Sequence, residues 1–256
     1  MQKLLSSGFL MAMLVLAGCA AKSGSQAEIQ AEPLSEKALV HYDIAFDSYA
    51  RGDLIPALGA ALRAKELSPQ NAEARNLLGL IYFRQGKGGL AEIEFKKAIE
   101  LDPRISEGFN NLGSLYLSQK RYAEARDILM KGQENPLYLY PERMLNNLGL
   151  AYAGLNDKVQ AQNAFLESIK FNPNFYLPHM NLGRLYFEED NLSKAEPLLA
   201  TASKLCRECS EPKYLLGKLF LKTDRAKEAV ASFKQGSTVD PEGYFGKLCQ
   251  QYLVQK

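Results

Sequence analysis

Tryptophan is absent from this 256-residue chain, histidine occurs twice, cysteine four times, and net charge is close to nil, at +2 from 31 basic and 29 acidic side chains. Each shortage removes a class of function. A chain without surplus cations has no means of displacing counterions from a polyanion, so no nucleic-acid partner is expected. His41 and His179 lack a second ligand at metal-like spacing, so no metal site is expected and both read as packing residues. No HExxH or GxSxG motif occurs. Gln85-Gly86-Lys87-Gly88-Gly89 lacks the first glycine and the closing Ser or Thr of a phosphate loop, and reads as a turn. No catalytic group, cofactor or small-molecule substrate is therefore expected. Long apolar runs are also scarce, and the single one, residues 4–16, is too short to cross a bilayer as a mature helix.

That run follows Lys3 and closes on Leu16-Ala17-Gly18-Cys19, which resembles a bacterial lipoprotein signal. The resemblance implies that residues 1–18 are removed and that Cys19 carries a diacylglycerol and an acylated amino group. Several acyl chains hold essentially permanently where one, at about 0.8 kcal/mol per buried CH₂, binds marginally. Removing residues 1–18 takes away one charge, Lys3, and leaves +1. Ala20, the second mature residue, is not the Asp of an inner-membrane retention signal. The expected location is the periplasmic face of the outer membrane. Residues 19–37 are rich in Ala, Ser, Gln, Glu and Lys, lack aromatics and contain Pro33, the composition of a flexible tether. As a free coil it would reach about 25 Å.

From Ala38 onward the chain repeats with a period of 34 residues. Leu78-Gly79, Tyr82, Ala91, Phe95, Ala98 and Pro103 return as Leu112-Gly113, Tyr116, Ala125 and Leu129, then as Leu148-Gly149, Tyr152, Ala161, Phe165 and Pro173. They return again as Leu182-Gly183, Tyr186, Ala195 and Leu199, with weaker copies around Ala45 and around Leu216-Gly217. The pattern resembles the tetratricopeptide repeat and covers residues 38–243 with one departure, two extra residues in the third unit. The resemblance implies an all-α, right-handed solenoid of about six helix pairs. Glycine lets the paired helices approach where small alanines face it, and Pro69, Pro103, Pro173 and Pro241 end second helices. Gly52, Gly86, Asn156, Asp190 and Asp224 share one position between the helices of a pair, as turn residues do. Ser193-Lys194-Ala195-Glu196 reads as a capping box that places Pro197 in a first turn. Residues 244–256 read as a capping helix, with Tyr244, Phe245, Leu248, Cys249, Tyr252 and Leu253 along one face.

Cys206-Arg207-Glu208-Cys209 falls between repeats five and six. Periplasmic exposure favours a disulfide between Cys206 and Cys209. A redox-active site would need its first cysteine at a helix start beside a strand, zinc would need two further ligands, and Cys249 competes as a partner for either thiol.

In tetratricopeptide folds the first helices of successive pairs line a concave groove. The resemblance makes Tyr42, Phe46 and Tyr49 an apolar stripe at one end, continued by Leu80 and Phe83. Asn76, Asn110 and Asn146, with neighbours Asn111, Asn147 and Asn181, run through the middle, where carboxamides suit gripping a peptide backbone. Arg143, Arg184 and Lys218 are scattered candidates for an anion clamp. The insertion at residues 135–141 reads either as a docking loop presenting Tyr138 and Tyr140 or as a plain insertion into the repeat.

The lipobox, tether, six repeats and late CxxC together resemble the type IV pilus pilotins, the PilF/PilW/Tgl family, over the whole mature chain. The resemblance implies an outer-membrane adaptor that binds secretin subunits and promotes their localisation and multimerisation. The rival expectations are another periplasmic scaffold and, through the CxxC, a thiol oxidoreductase. Replacement of Cys19→Ser is expected to abolish metabolic labelling with palmitate; retained label would contradict the lipoprotein reading.

Overall fold

Thirteen helices and no strand make up residues 32–254, the part of the chain that the computed structural model describes. The signal at 1–18, Cys19 and the tether to residue 31 lie outside the described residues. The helices form six pairs: α1 (Glu36–Arg51) with α2 (Leu54–Leu67), α3 (Ala72–Arg84) with α4 (Gly88–Leu101), and α5 (Ser106–Ser118) with α6 (Tyr122–Gly132). Next come α7 (Pro141–Gly154) with α8 (Lys158–Phe171), α9 (Tyr176–Glu188) with α10 (Leu192–Leu205), and α11 (Ser210–Lys222) with α12 (Ala226–Val239). A final helix, α13 (Tyr244–Val254), covers the last pair.

The repeated glycine decides how closely each pair closes. A Cβ added at Gly79, Gly113, Gly149 or Gly217 would lie 2.5 or 2.6 Å from the side chain sixteen residues on, Phe95, Leu129, Phe165 or Phe233, and at Gly183 it would lie 2.8 Å from Leu199. These five side chains are at most 2% exposed. The glycine is therefore a seat for the bulky residue of the second helix, whereas sequence reading set it against the small Ala91, Ala125, Ala161, Ala195 and Ala229. Those alanines are fully buried.

Each turn between paired helices needs one left-handed residue. Gly52, Gly86, Asn156, Asp190 and Asp224 supply it at φ of 88°, 75°, 62°, 62° and 57°. In the third pair the residue is Lys120, at φ 60°, which its side-chain type does not advertise. Second helices end one residue before each expected proline's predecessor: α2, α4 and α8 stop at Leu67, Leu101 and Phe171, with caps Ser68, Asp102 and Asn172.

Three expectations are corrected. The boundary between tether and repeats at 37/38 falls inside α1, which starts at Glu36 under an N-cap from Ser35. The segment before it is docked, since Ser35 N–H donates to Ser68 Oγ (3.0 Å) and Asn71 Nδ2 to the Glu32 carbonyl (2.6 Å). The capping box is not formed: α10 starts at Leu192 after Asn191, Ser193 Oγ bonds the Asn191 side chain, and Pro197 sits inside the helix. In α13, Cys249 is fully buried and Tyr252 stacks on Phe233 at 4.7 Å, but Tyr244 is 72% exposed and seals nothing.

Charged clamps join neighbouring pairs with one recurring geometry. Arg121 lies over the Tyr116 ring (4.1 Å) and donates to Glu92 of the preceding pair (2.7 Å); Arg225 lies over Phe220 (4.3 Å) and grips Glu196 at 2.8 Å. The Arg121 hydrogen bond, helped by Lys96 and Tyr116, holds the Glu92 carboxyl down at about 2, against an ordinary 4.5. A lowered carboxylate contributes stability that is complete above its unfolded value and fades as pH falls toward its folded one. Between pH 4.5 and 2, the wild type is expected to lose about 1–2 kcal/mol more than Glu92→Gln, as read from urea midpoints; parallel acid profiles would contradict the clamp.

Candidate functional site

The pairs stack unevenly, and the unevenness makes a concave face. Among the described residues each first helix packs backbone to backbone against the next first helix, from α1·α3 through α9·α11, whereas successive second helices do not approach this closely and the first two are bridged only by long side chains, Lys65 to Glu94 at 3.0 Å. Units crowded on one side and splayed on the other curve toward the crowded side. The stripe of α1, α3, α5, α7, α9 and α11 therefore lines the inner face, where sequence reading placed the partner groove.

At the first end of this face Phe46 is 53% exposed, while Tyr42 and Tyr49 are half-buried against Ala45, Leu77 and Leu78. Arg84 lies over the Tyr49 ring at 5.1 Å and donates to the Tyr49 carbonyl. Leu80 and Phe83 are half-buried against the cluster built on Phe95, Leu112 and Leu115. Of the five apolar side chains expected to greet a partner, Phe46 projects, and the others present edges. Burial first, then the carboxylates of Glu73, Asp43 and Glu107, push the Tyr42 hydroxyl up to about 12.

The asparagines do something other than what was expected of them. Asn111 Nδ2 donates to Asn76 Oδ1 (3.0 Å), Asn147 Nδ2 to Asn110 Oδ1 (2.9 Å), and Asn181 Nδ2 to Asn146 Oδ1 (2.9 Å). The pairs are 35, 37 and 35 residues apart, one more than the repeat, with the two-residue insertion in the middle pair. A carboxamide in one first helix thus accepts from the next residue position of the following first helix, and three such bonds tie α3, α5, α7 and α9 into a ladder. Asn147 also donates to Ser114 Oγ (2.9 Å). Asn146 and Asn181 are buried, 3% and 6% exposed, so neither can grip a peptide. The candidate anion clamp is likewise engaged: Arg184 pairs with Glu211, Arg143 lies over the Tyr140 ring, and Lys218 lies 5.9 Å from the Phe187 and Tyr214 rings.

The insertion is an irregular segment between α6 and α7. Asn135 ties its start to Arg104 O and Ser106 Oγ, both at 2.9 Å. Tyr138 turns inward against the core around Phe109 and Met144, meeting Tyr140 edge to face at 6.3 Å. Leu137 and Leu139 point outward, 82% and 80% exposed. The exposed pair was missed because the aromatic residues drew attention; the alternation of Leu137, Tyr138, Leu139 was the available signal. Burial, and then the Glu107 carboxylate, raise the Tyr138 hydroxyl.

Cys206 and Cys209 are joined by a disulfide, and Cys249 is a free, buried thiol whose ionisation burial pushes up to about 11. His179 Nε2 donates to the Pro173 carbonyl at 2.9 Å while Nδ1 is buried without a partner. Among the described residues no three His, Cys, Asp or Glu side chains cluster as metal ligands, and no helix is long and apolar enough to cross a membrane.

Tetratricopeptide-repeat models match residues 55–104, 94–127, 142–175 and 210–242. The chain belongs to the tetratricopeptide-repeat family. Within it the chain is PilF/PilW-like. The type IV pilus assembly protein PilF of Pseudomonas aeruginosa is 29% identical over 175 residues, 68% of this chain and 69% of its own. A solved structure of Pseudomonas aeruginosa PilF superposes over 86% of this chain and 98% of its own, with a TM-score of 0.73 and 23% identity. PilW, described as a widely conserved type IV pilus biogenesis factor, superposes over 84% of this chain and 98% of its own, with a TM-score of 0.75 and 19% identity. The tetratricopeptide solenoid is a scaffold for protein–protein contact.

The ladder is open to a double-mutant test. Asn146→Leu leaves the buried Asn181 amide without its acceptor and is expected to cost about 1–3 kcal/mol in urea unfolding. Adding Asn181→Leu should return part of that loss, because apolar pairs occupy the equivalent places at the two ends, Tyr42 with Leu77 and Met180 with Leu215. Additive losses in the double variant would contradict the ladder.

Proposed function

We propose that this chain is a pilotin-type lipoprotein, anchored through Cys19 at the periplasmic face of the outer membrane, that binds secretin subunits and promotes their outer-membrane localisation and multimerisation for type IV pilus assembly. The observation that carries the reading is the similarity to PilF, itself a type IV pilus assembly protein, through two thirds of both chains. The PilW likeness in fold and the lipobox agree with it.

The mechanism needs binding energy only. The exposed Phe46 of α1 and the outward Leu137 and Leu139 of the insertion offer apolar contacts, suited to an apolar segment of a partner. The ladder of asparagines keeps the inner face rigid, so little ordering cost is added on docking. A subunit held this way is withdrawn from premature pairing and released to the pore as neighbours compete for it, a shift governed by ligand concentration over Kd. Burying one large apolar side chain is worth about 1.5–3 kcal/mol, so Phe46→Asp or Leu137→Asp should weaken co-purified secretin about tenfold or more. Both positions are exposed, so the fold should survive. Deletion of the gene is expected to eliminate heat-resistant secretin multimers, wild-type chain to restore them, and Phe46→Asp to restore them poorly. Normal multimers and normal piliation in the deletion would overturn the reading.

A further inference from the structure

The splay of second helices opens clefts on the outer side of the stack, and the one between α10 and α12 is chemically unlike its surroundings. It has a volume of about 650 Å³ and an apolar lining from Ala200, Leu216 and Val239. Its charged lining is all of one sign: Lys204, Arg207, Lys213 and Lys234. Among the described residues none of these four forms an ion pair; Glu196 is paired with Arg225 and Glu211 with Arg184, while Glu208 in the loop and Asp240 beside the lining are exposed and make no ion pair with any of the four.

Lys213 makes this more than a solvated basic patch. It is 5% exposed, and its ammonium donates to three carbonyls of the disulfide loop, Cys206 O (3.2 Å), Arg207 O (2.8 Å) and Cys209 O (2.9 Å). All three protons are satisfied by neutral dipoles, so the hydrogen bonding is complete while the charge is not neutralised. Burial lowers the Lys213 pKa, the sign expected of a cation without a carboxylate. A buried positive charge behind a low-dielectric wall raises the potential in the cleft it borders. The disulfide closes the loop that presents those carbonyls, which gives the CxxC a positioning role.

We propose that the α10–α12 cleft is a second docking site, separate from the inner face, for a short acidic peptide segment carrying an apolar side chain. The apolar lining takes that side chain, Arg207, Lys204 and Lys234 meet its carboxylates, and Ser203, Gln235 and Thr238 supply neutral hydrogen-bonding groups. An open cleft of this size admits two or three residues of an extended peptide. The site uses no residue of the proposed secretin-binding face, so the two readings stand or fall separately.

The test is fluorescence anisotropy of the mature chain with a labelled hexapeptide of alternating Glu and Leu, its Gln and Leu counterpart, and phosphatidylglycerol vesicles. The Glu peptide is expected to bind about tenfold more tightly than the Gln peptide and to weaken as salt rises. The exposed double replacement Arg207→Gln and Lys234→Gln should remove that tenfold preference while Phe46→Asp leaves it intact, with circular dichroism unchanged in both. Equal affinity for the two peptides, an unaffected double variant, or capture of the vesicles in place of the peptide would each overturn the proposal.

Discussion

Everything in this solenoid depends on a side chain seated on a glycine. Five times over, a large residue of the second helix occupies the space that a Cβ of the first helix would fill, at separations no real Cβ tolerates. The contact brings paired helices close, and close pairs stack so that successive first helices pack backbone to backbone through the described residues while successive second helices lie farther apart. An inner face suited to a partner and outer clefts between second helices are both consequences of that one constraint. Which side chains the curvature leaves uncovered then decides where a partner can sit.

The inner face is divided along its length. Its centre is closed by the carboxamide ladder, and exposed apolar area is available at Phe46 on α1 and, apart from it, at Leu137 and Leu139 of the insertion between α6 and α7. Similarity to PilF and PilW puts such a surface in the setting of pilus biogenesis, and a solenoid scaffold fits an assembly role because binding alone shifts equilibria. The clamps of Arg121 on Glu92 and Arg225 on Glu196 hold neighbouring pairs in register at two of the junctions.

The repeat, the helix pairs and most turn residues were legible in the sequence because their physics is local: glycine at a close approach, proline after a cap, Asn or Asp in a left-handed turn. What was not legible depends on partners far away in sequence. Lys120 adopts the left-handed turn because the stack demands it, against its own preference. The asparagines looked like free hydrogen-bonding groups until the register of adjacent first helices joined position to position. Tyr138 looked exposed, but the insertion alternates and turns it inward, leaving Leu137 and Leu139 to the solvent. Pro197 fell inside α10 because Asn191, not Ser193, precedes the first helical residue. The positive cleft drew no notice, because its four cations come from three helices and a loop.

The most direct measurement is the thermal and urea unfolding of Gly149→Ala. A methyl group there would lie 2.5 Å from the Phe165 ring. The account predicts a loss of about 1–3 kcal/mol, since overpacking a filled core forces backbone or rotamer shifts. Alanine would otherwise raise helix stability by about 0.8–1 kcal/mol over glycine, so an unchanged or higher melting temperature would contradict the claim that this seat holds the solenoid together.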